Sequence, residues 1–172
     1  MIFSNIKSKL INSKKGNAIL DTAMVFIVLV VFGLFSIITW SVWGEISPDI
    51  YDSVNETDEA TAALDVIDTR FPSLLDGLFI FIFLGLWIMT LVASWMIDTH
   101  PIFFAISLIL FIIVLIGAIY LGNFYEEIIT DTSFNSAYTA FPATHYILTN
   151  LLMFSIIIGS SIMIVLYGKS RT

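Results

Sequence analysis

Four long runs of residues without charge divide the chain. They extend from Thr22 to Gly44, from Gly77 to Ile97, from Pro101 to Tyr125 and from Tyr146 to Gly168. A helix rises about 1.5 Å per residue and the hydrocarbon core of a bilayer is about 30 Å thick, so about 20 apolar residues cross it. Core helices of a water-soluble protein would carry polar residues at every third or fourth position, and these runs do not. The pattern predicts an all-α integral membrane protein with four transmembrane helices in a single domain.

The boundaries follow from where the charged and turn-forming residues lie. We predict a basic interfacial arm over 1–17, transmembrane helices over 18–44, 74–97, 101–122 and 146–168, an acidic outer loop over 45–73, an inner turn over 98–100, an outer aromatic loop over 123–145 and a basic tail over 169–172.

Basic residues lie almost entirely near the two ends of the chain. Six of the seven are Lys7, Lys9, Lys14, Lys15, Lys169 and Arg171, and Arg70 is the exception. Inner flanks of transmembrane helices are enriched in cations, and an even number of spans brings both termini to one side. We therefore predict an N-in/C-in topology. The loop over 45–73, which holds eight acidic residues, belongs outside.

The overall composition agrees with a membrane protein. Hydrophobic residues make up 58% of the chain and charged residues 12%, about half the charged fraction of a soluble domain. The chain has no cysteine, which excludes disulfide bonds, thiolate metal sites and cysteine catalysis.

Two segments outside the spans have amphipathic patterns. In the N-terminal arm, apolar residues at 2, 3, 6 and 10 share a helical face beside lysines, which predicts a basic helix on the inner leaflet that binds anionic lipid or nucleic acid. In the outer loop, Leu64, Ile67 and Phe71 recur at helical intervals. They predict a short amphipathic helix that lies on the outer membrane face or on another protein subunit and ends before Pro72. We call these three residues the outer contact stripe.

Candidate metal ligands are too few on either side to make a site. Asp98 and His100 are expected inside, whereas His145, Glu126 and Glu127 are expected outside, about 30 Å away. A metal site needs three or more converging groups. We predict no catalytic residue, no metal and no cofactor.

Other polar and small residues in the spans have structural interpretations. Asp21 and Asp76 are expected close to helix ends, which leaves the membrane interior without ionisable groups. Ser155, Gly159 and Ser160 are small enough to permit close helix packing, within the bundle or with another subunit. Asn55 begins a glycosylation sequon, Asn-Glu-Thr, on the outer side.

The run KKGNAILD over 14–21 resembles the class III signal of type IV prepilins and pseudopilins. The resemblance implies cleavage after Gly16, a new N-terminus at Asn17, and Asp21 as the acidic fifth residue of the mature chain. The sequence departs from that family because the acid is Asp where Glu is usual and because three further spans follow. The residues themselves favour lysines that anchor the inner side, Gly16 as a hinge and Asp21 at headgroup depth, with residues 1–16 retained.

The whole chain is similar in character to small polytopic proteins of the internal membranes of tailless icosahedral viruses. The resemblance lies in the lysine-rich arm, the charge-free spans, the compact loops and segments such as THPIFF (99–104) and VLYGK (165–169). It implies a non-enzymatic structural protein that links the virion membrane to the capsid. The alternatives are a pilus or secretion-system subunit, a holin-like or channel protein, and an accessory subunit of a membrane enzyme in a cytoplasmic membrane.

Overall fold

The computed structural model describes residues 18–54, 58–96, 101–131, 134 and 136–170. Several predicted features lie outside these residues: the basic arm with Gly16 and Asn17, the inner turn with Asp98 and His100, and the sequon at Asn55. The described helices are α1 (Ala18–Val54), α2 (Asp58–Met96), α3 (Pro101–Ile129), α4 (Pro142–Thr149) and α5 (Leu151–Ser170), with a 3-10 helix at Ala137–Ala140.

The all-helical prediction is confirmed for the described residues, which contain no strand. Four helices, α1, α2, α3 and α5, are long and apolar enough to cross a membrane. They form a ring in the order α1, α2, α5, α3. Bulky side chains from all four fill the centre, among them Phe26, Leu29, Phe79, Val114 and Ile158.

The helices α1 and α2 extend beyond the spans predicted for them. α1 continues past Gly44 to Val54, and α2 begins at Asp58 rather than at 74. Pro72 was expected to end a separate surface helix, but it lies inside α2. The outer amphipathic segment is therefore the first part of a long helix, and the two extended helices form a hairpin.

The other boundaries differ by less. α3 runs to Ile129 instead of 122, and α5 begins at Leu151 instead of 146. The late start of α5 results from a break at Asn150, whose backbone has φ −100° and ψ 28°. Its side-chain amide donates to the carbonyl oxygen of Tyr146 at 2.9 Å. The Asn150 N–H donates to the Tyr146 carbonyl oxygen at 3.2 Å, and the Phe154 N–H donates to the Asn150 carbonyl oxygen at 3.1 Å, so α4 and α5 are nearly continuous.

Candidate functional site

A layer of polar contacts crosses the bundle near the hairpin end, which is the end where α1 connects to α2. Asp76 of α2 is only 8% exposed and Tyr125 of α3 is fully buried. Asp76 contacts Thr144 of α4, and a Cβ atom on Gly33 of α1 would lie against Thr144 and Leu148. All four elements thus meet at one level, which we call the polar layer.

Asp76 caps the N-terminus of α4. Its Oδ1 accepts hydrogen bonds from the Thr144 backbone N–H at 2.7 Å and from the Thr144 hydroxyl at 2.8 Å, and its Oδ2 accepts one from the Ala143 N–H at 3.0 Å. The first N–H groups of a helix have no partner inside the helix, and a negative charge is favourable there. The expectation that Asp76 lies close to a helix end is wrong, because α2 begins eighteen residues earlier, at Asp58.

Beyond the polar layer, the hairpin rises above the rest of the bundle. From Gly33 to Val54 α1 continues for twenty-one residues, and from Asp58 to Asp76 α2 continues for eighteen, or about 32 and 27 Å. α3 ends only four residues beyond Tyr125. The 3-10 helix packs against α1, where Trp40 and Ser41 share a pocket with Ala137. Among the described residues, the part of α1 from Glu45 onward therefore packs mainly against the start of α2.

Aromatic residues of α1 bind carboxylates of α2 and hold the hairpin together. The Trp43 Nε1–H donates to Asp68. The Tyr51 hydroxyl is within hydrogen-bonding distance of Asp68 at 2.9 Å and of Asp65 at 3.0 Å. Asp68 thereby joins two turns of α1 to one turn of α2.

The outward faces of the hairpin carry exposed apolar side chains. On α2, Ile67 and Phe71 of the outer contact stripe are 39% and 38% exposed, whereas Leu64 is half-buried. The same face continues through Leu74, which is 68% exposed, to Leu78 and Phe81 below the polar layer. On α1, an exposed row at every fourth residue consists of Ile38, Val42 and Ile46. The α2 row thus crosses the polar layer, and the α1 row continues to it and below it through Phe35 and Val31, which are 66% and 61% exposed.

Acidic side chains border these rows. Those exposed on the described part of the hairpin are Glu45, Asp49, Asp52, Glu59 and Asp65, and Arg70 is the only basic residue in the segment. The hairpin surface is therefore apolar with a negative edge.

A second polar feature lies beside the polar layer, between α3 and α4. His145 and Glu126, considered together from the sequence, line one cleft of about 420 Å³, which Glu127 does not line. The buried Tyr125 hydroxyl is 3.2 Å from His145 Nδ1, and the Tyr138 ring centroid lies 4.7 Å from that of His145. In the described part of the chain, no group of three His, Asp or Glu residues could hold a metal ion.

The predicted packing residues of α5 divide into two kinds. Ser155 and Gly159 are buried, whereas Ser160 is exposed. A Cβ atom at Gly159 would lie 1.8 Å from a ring carbon of Phe111 in α3, so this glycine permits contact inside the bundle. Asp21 is exposed in the first turn of α1.

Gly33 is a packing residue that was not predicted from the sequence. A Cβ atom there would lie 2.5 Å from Leu148 Cδ1, so its small size lets α4 pack against α1. A lone glycine in an apolar run carries no sign of which helix approaches it.

Comparison of the chain with protein-family models, with curated proteins and with solved structures found no match, so its function is argued from the geometry above.

Proposed function

We propose that the chain is a non-enzymatic integral membrane protein that attaches a larger assembly to a bilayer through its α1–α2 hairpin. The observation that carries the proposal is the pair of exposed apolar rows that continue beyond the polar layer. Lipid can cover the rows below that layer, but above it another surface is needed. Monomeric soluble surfaces rarely expose contiguous apolar patches of this kind without a partner.

The depth of the polar layer supports this placement. From Asp76 to Met96 is twenty residues, and from Pro101 to Tyr125 is twenty-four, which correspond to about 30 and 36 Å of helix. A hydrocarbon core of about 30 Å fits between the polar layer and the opposite ends of these helices. In this placement Asp76 lies near the outer boundary, and the apolar rows continue for about 15 Å outside it.

The chemistry of the hairpin indicates its partner. An exposed apolar row of Ile67, Phe71 and Leu74 fits an apolar patch on a protein. The acidic edge, opposed only by Arg70, fits a rim of Lys and Arg, because complementary charge steers and orients association. The resemblance to virion membrane proteins favours a capsid subunit, with the basic N-terminal arm facing the genome and the protein located in the internal membrane.

The closely packed centre of the bundle makes a channel a weaker alternative. Phe26, Phe79 and Ile158 are each no more than 2% exposed, and they fill the space that a pore would need. A pore for ions or polar solutes is lined by polar groups or carbonyl oxygens.

The proposal is tested with a photo-crosslinking residue at Phe71 in the native membrane, followed by mass spectrometry of the adduct. We expect one protein adduct, from a subunit with a basic rim. The double variant Ile67→Asp/Phe71→Asp should lower copurification of that subunit at least about tenfold, as expected when an apolar contact is replaced by buried charge.

The matched control is Ala62→Asp/Thr69→Asp, which adds the same charge at two exposed positions of α2 on the helical face opposite the contact stripe. It should copurify at least half as much partner as the parent chain. Adducts to lipid alone, or equal losses in the two double variants, would overturn the docking proposal.

A further inference from the structure

The cleft between α3 and α4 has the features of a small binding site. It is lined by Glu126, Ile129, Thr130, Tyr138, His145 and Thr149. His145 follows Thr144 of the polar layer, so in the proposed placement the cleft opens at the depth of lipid head groups. The Tyr125 and Thr149 hydroxyls, at 3.2 and 3.5 Å from His145 Nδ1, hold the imidazole in the wall.

The charge around the cleft selects a cation. Glu126 contributes a carboxylate, and Glu127 is its exposed neighbour. The sequence has no Lys or Arg between Arg70 and Lys169. An anionic ligand would therefore find no lysine or arginine from either wall, and the Nδ1 atom of His145 already faces the Tyr125 and Thr149 hydroxyls. A cation would instead meet a carboxylate.

The acceptors in the cleft match an ammonium group that carries N–H donors. The Glu126 carboxylate and the hydroxyl oxygens of Thr130 and Thr149 line the same space. A primary ammonium has three N–H donors, as the lysine side chain does, and a quaternary ammonium has none. Three oxygen acceptors in one cleft thus favour the primary amine.

Apolar side chains continue from the cleft along the same helices. On α3, the face of Glu126 leads to Ile119, Ile116 and Ile112, which are 43%, 50% and 50% exposed. On α5, the face of Thr149 leads to Leu152 and Ile156. An acyl chain attached to a head group in the cleft can lie against these residues.

We propose that this cleft binds the primary ammonium of a phospholipid head group, with phosphatidylethanolamine as the simplest such lipid. The proposal rests on the membrane placement given above, but not on docking by the hairpin. Phosphatidylcholine, whose quaternary ammonium cannot donate a hydrogen bond, should bind much less tightly.

The test is native mass spectrometry of the full chain in detergent, titrated with phosphatidylethanolamine or phosphatidylcholine of identical acyl chains. We expect one ethanolamine lipid to bind at least about tenfold more tightly than the choline lipid, because hydrogen bonds to a charged group are worth that much or more. Glu126→Gln should remove this preference. Glu127→Gln, which removes the same charge one residue away and outside the cleft, should keep it.

Two further measurements distinguish a lipid head group from a free amine and test the cleft with a second variant, in case Glu126→Gln does not fold. Thr149→Val should reduce the preference, and phosphoethanolamine in solution should compete with the lipid if the head group alone is recognised. Direct binding of phosphoethanolamine without any binding of the lipid would overturn the assignment to a lipid, because the ammonium site would then belong to a free ligand. The hairpin variant Ile67→Asp/Phe71→Asp should bind the lipid as the parent does, so the two proposals fail separately. Equal binding of the two lipids, or an unchanged preference in Glu126→Gln, would overturn the proposal.

Discussion

At Asp76, one carboxylate joins two helices that are distant in the sequence. It accepts three hydrogen bonds from Ala143 and Thr144, and it replaces the partners that the first turn of α4 lacks. Phe141, which precedes α4, provides no side-chain cap. The orientation of α4 therefore depends on a residue of α2. The same residue thereby positions the α4 wall of the cleft between α3 and α4.

Replacement of Asp76 should destabilise the protein more than replacement of any exposed acid. Asp76→Ala leaves two backbone N–H groups and a hydroxyl without their acceptor, at a cost of about 3 kcal/mol. Asp76→Asn keeps one acceptor oxygen and should lose less stability. Unfolding in mixed micelles measures the difference, and Asp21→Ala, at an exposed position, is the control. Equal stabilities of Asp76→Ala and the parent would show that the cap contributes nothing.

The sequence could identify Asp76 as an unusual acid but not its role. Its partners Ala143 and Thr144 are 67 and 68 residues away, and no periodicity connects positions so far apart. The error in the start of α2 also moved Asp76 to a helix end, where a carboxylate needs no explanation. His145, Glu126 and Glu127 were considered together from the sequence, and the structure places the first two in one cleft.

At the scale of helices, the contacts between neighbours depend on where side chains are missing. Gly159 lies under the ring of Phe111, and Gly33 lies under Leu148 and Thr144. Membrane helices gain little hydrophobic free energy by leaving lipid for one another, so close packing at such positions supplies the association.

Gly159→Ala should destabilise the bundle, and Gly117→Ala should not. Alanine has a higher helix propensity than glycine by about 1 kcal/mol, so both variants gain the same stability from helix propensity. At Gly117 a Cβ atom meets nothing within 4 Å, whereas at Gly159 it would lie 1.8 Å from the Phe111 ring. We expect a net loss of about 1–3 kcal/mol at Gly159, measured by unfolding in micelles.

A substitution that removes bulk from α3, on the opposite side of the same contact, provides an internal check. If Phe111 is the residue that clashes, the substitution Phe111→Leu should recover part of the stability lost in Gly159→Ala. Equal effects of the two alanine variants would mean that the contact between α3 and α5 tolerates the extra methyl group.

The existence of the four long helices was predictable from the sequence, but their ends were not. Length and apolar content determine whether a helix can span a bilayer, and both are local properties. Pro72 was interpreted as a helix end because proline removes a backbone hydrogen bond and costs about 3 kcal/mol inside a helix. In the structure, Trp43 and Tyr51 bind Asp68 on the turn before Pro72. Hydrogen bonds between two helices cannot be predicted from the sequence pattern of either helix alone.

At the scale of the whole molecule, charge is separated along the sequence. The basic residues at 7, 9, 14, 15, 169 and 171 belong to the two chain ends, and eight of the fourteen acidic residues lie in the segment 45–73. This separation motivates the N-in/C-in topology, which remains a prediction.

Labelling with an impermeant thiol reagent tests the topology, since the natural chain has no cysteine. Ala62→Cys, at an exposed position of the hairpin, should react from the outside, whereas epitope tags fused at residues 1 and 172 should stay protected until the membrane is opened. Ile116→Cys, on a face that is 50% exposed but covered by lipid in the proposed placement, should not react in either condition. Tags accessible in intact membranes would reverse the orientation.

The cap on α4 also sets an order of events during biosynthesis. Asp76 leaves the ribosome 67 residues before Ala143, which at about 5–20 residues per second is an interval of roughly 3–13 seconds. Throughout that interval, the growing chain contains a carboxylate whose hydrogen-bond donors have not yet been synthesised. At the bilayer centre such a charge would cost about 2.5–3.5 kcal/mol or more, but at the outer boundary water can solvate it. In the proposed placement, the depth of Asp76 would allow α1 and α2 to enter the membrane first, and α4 would displace that water later, when it completes the bundle.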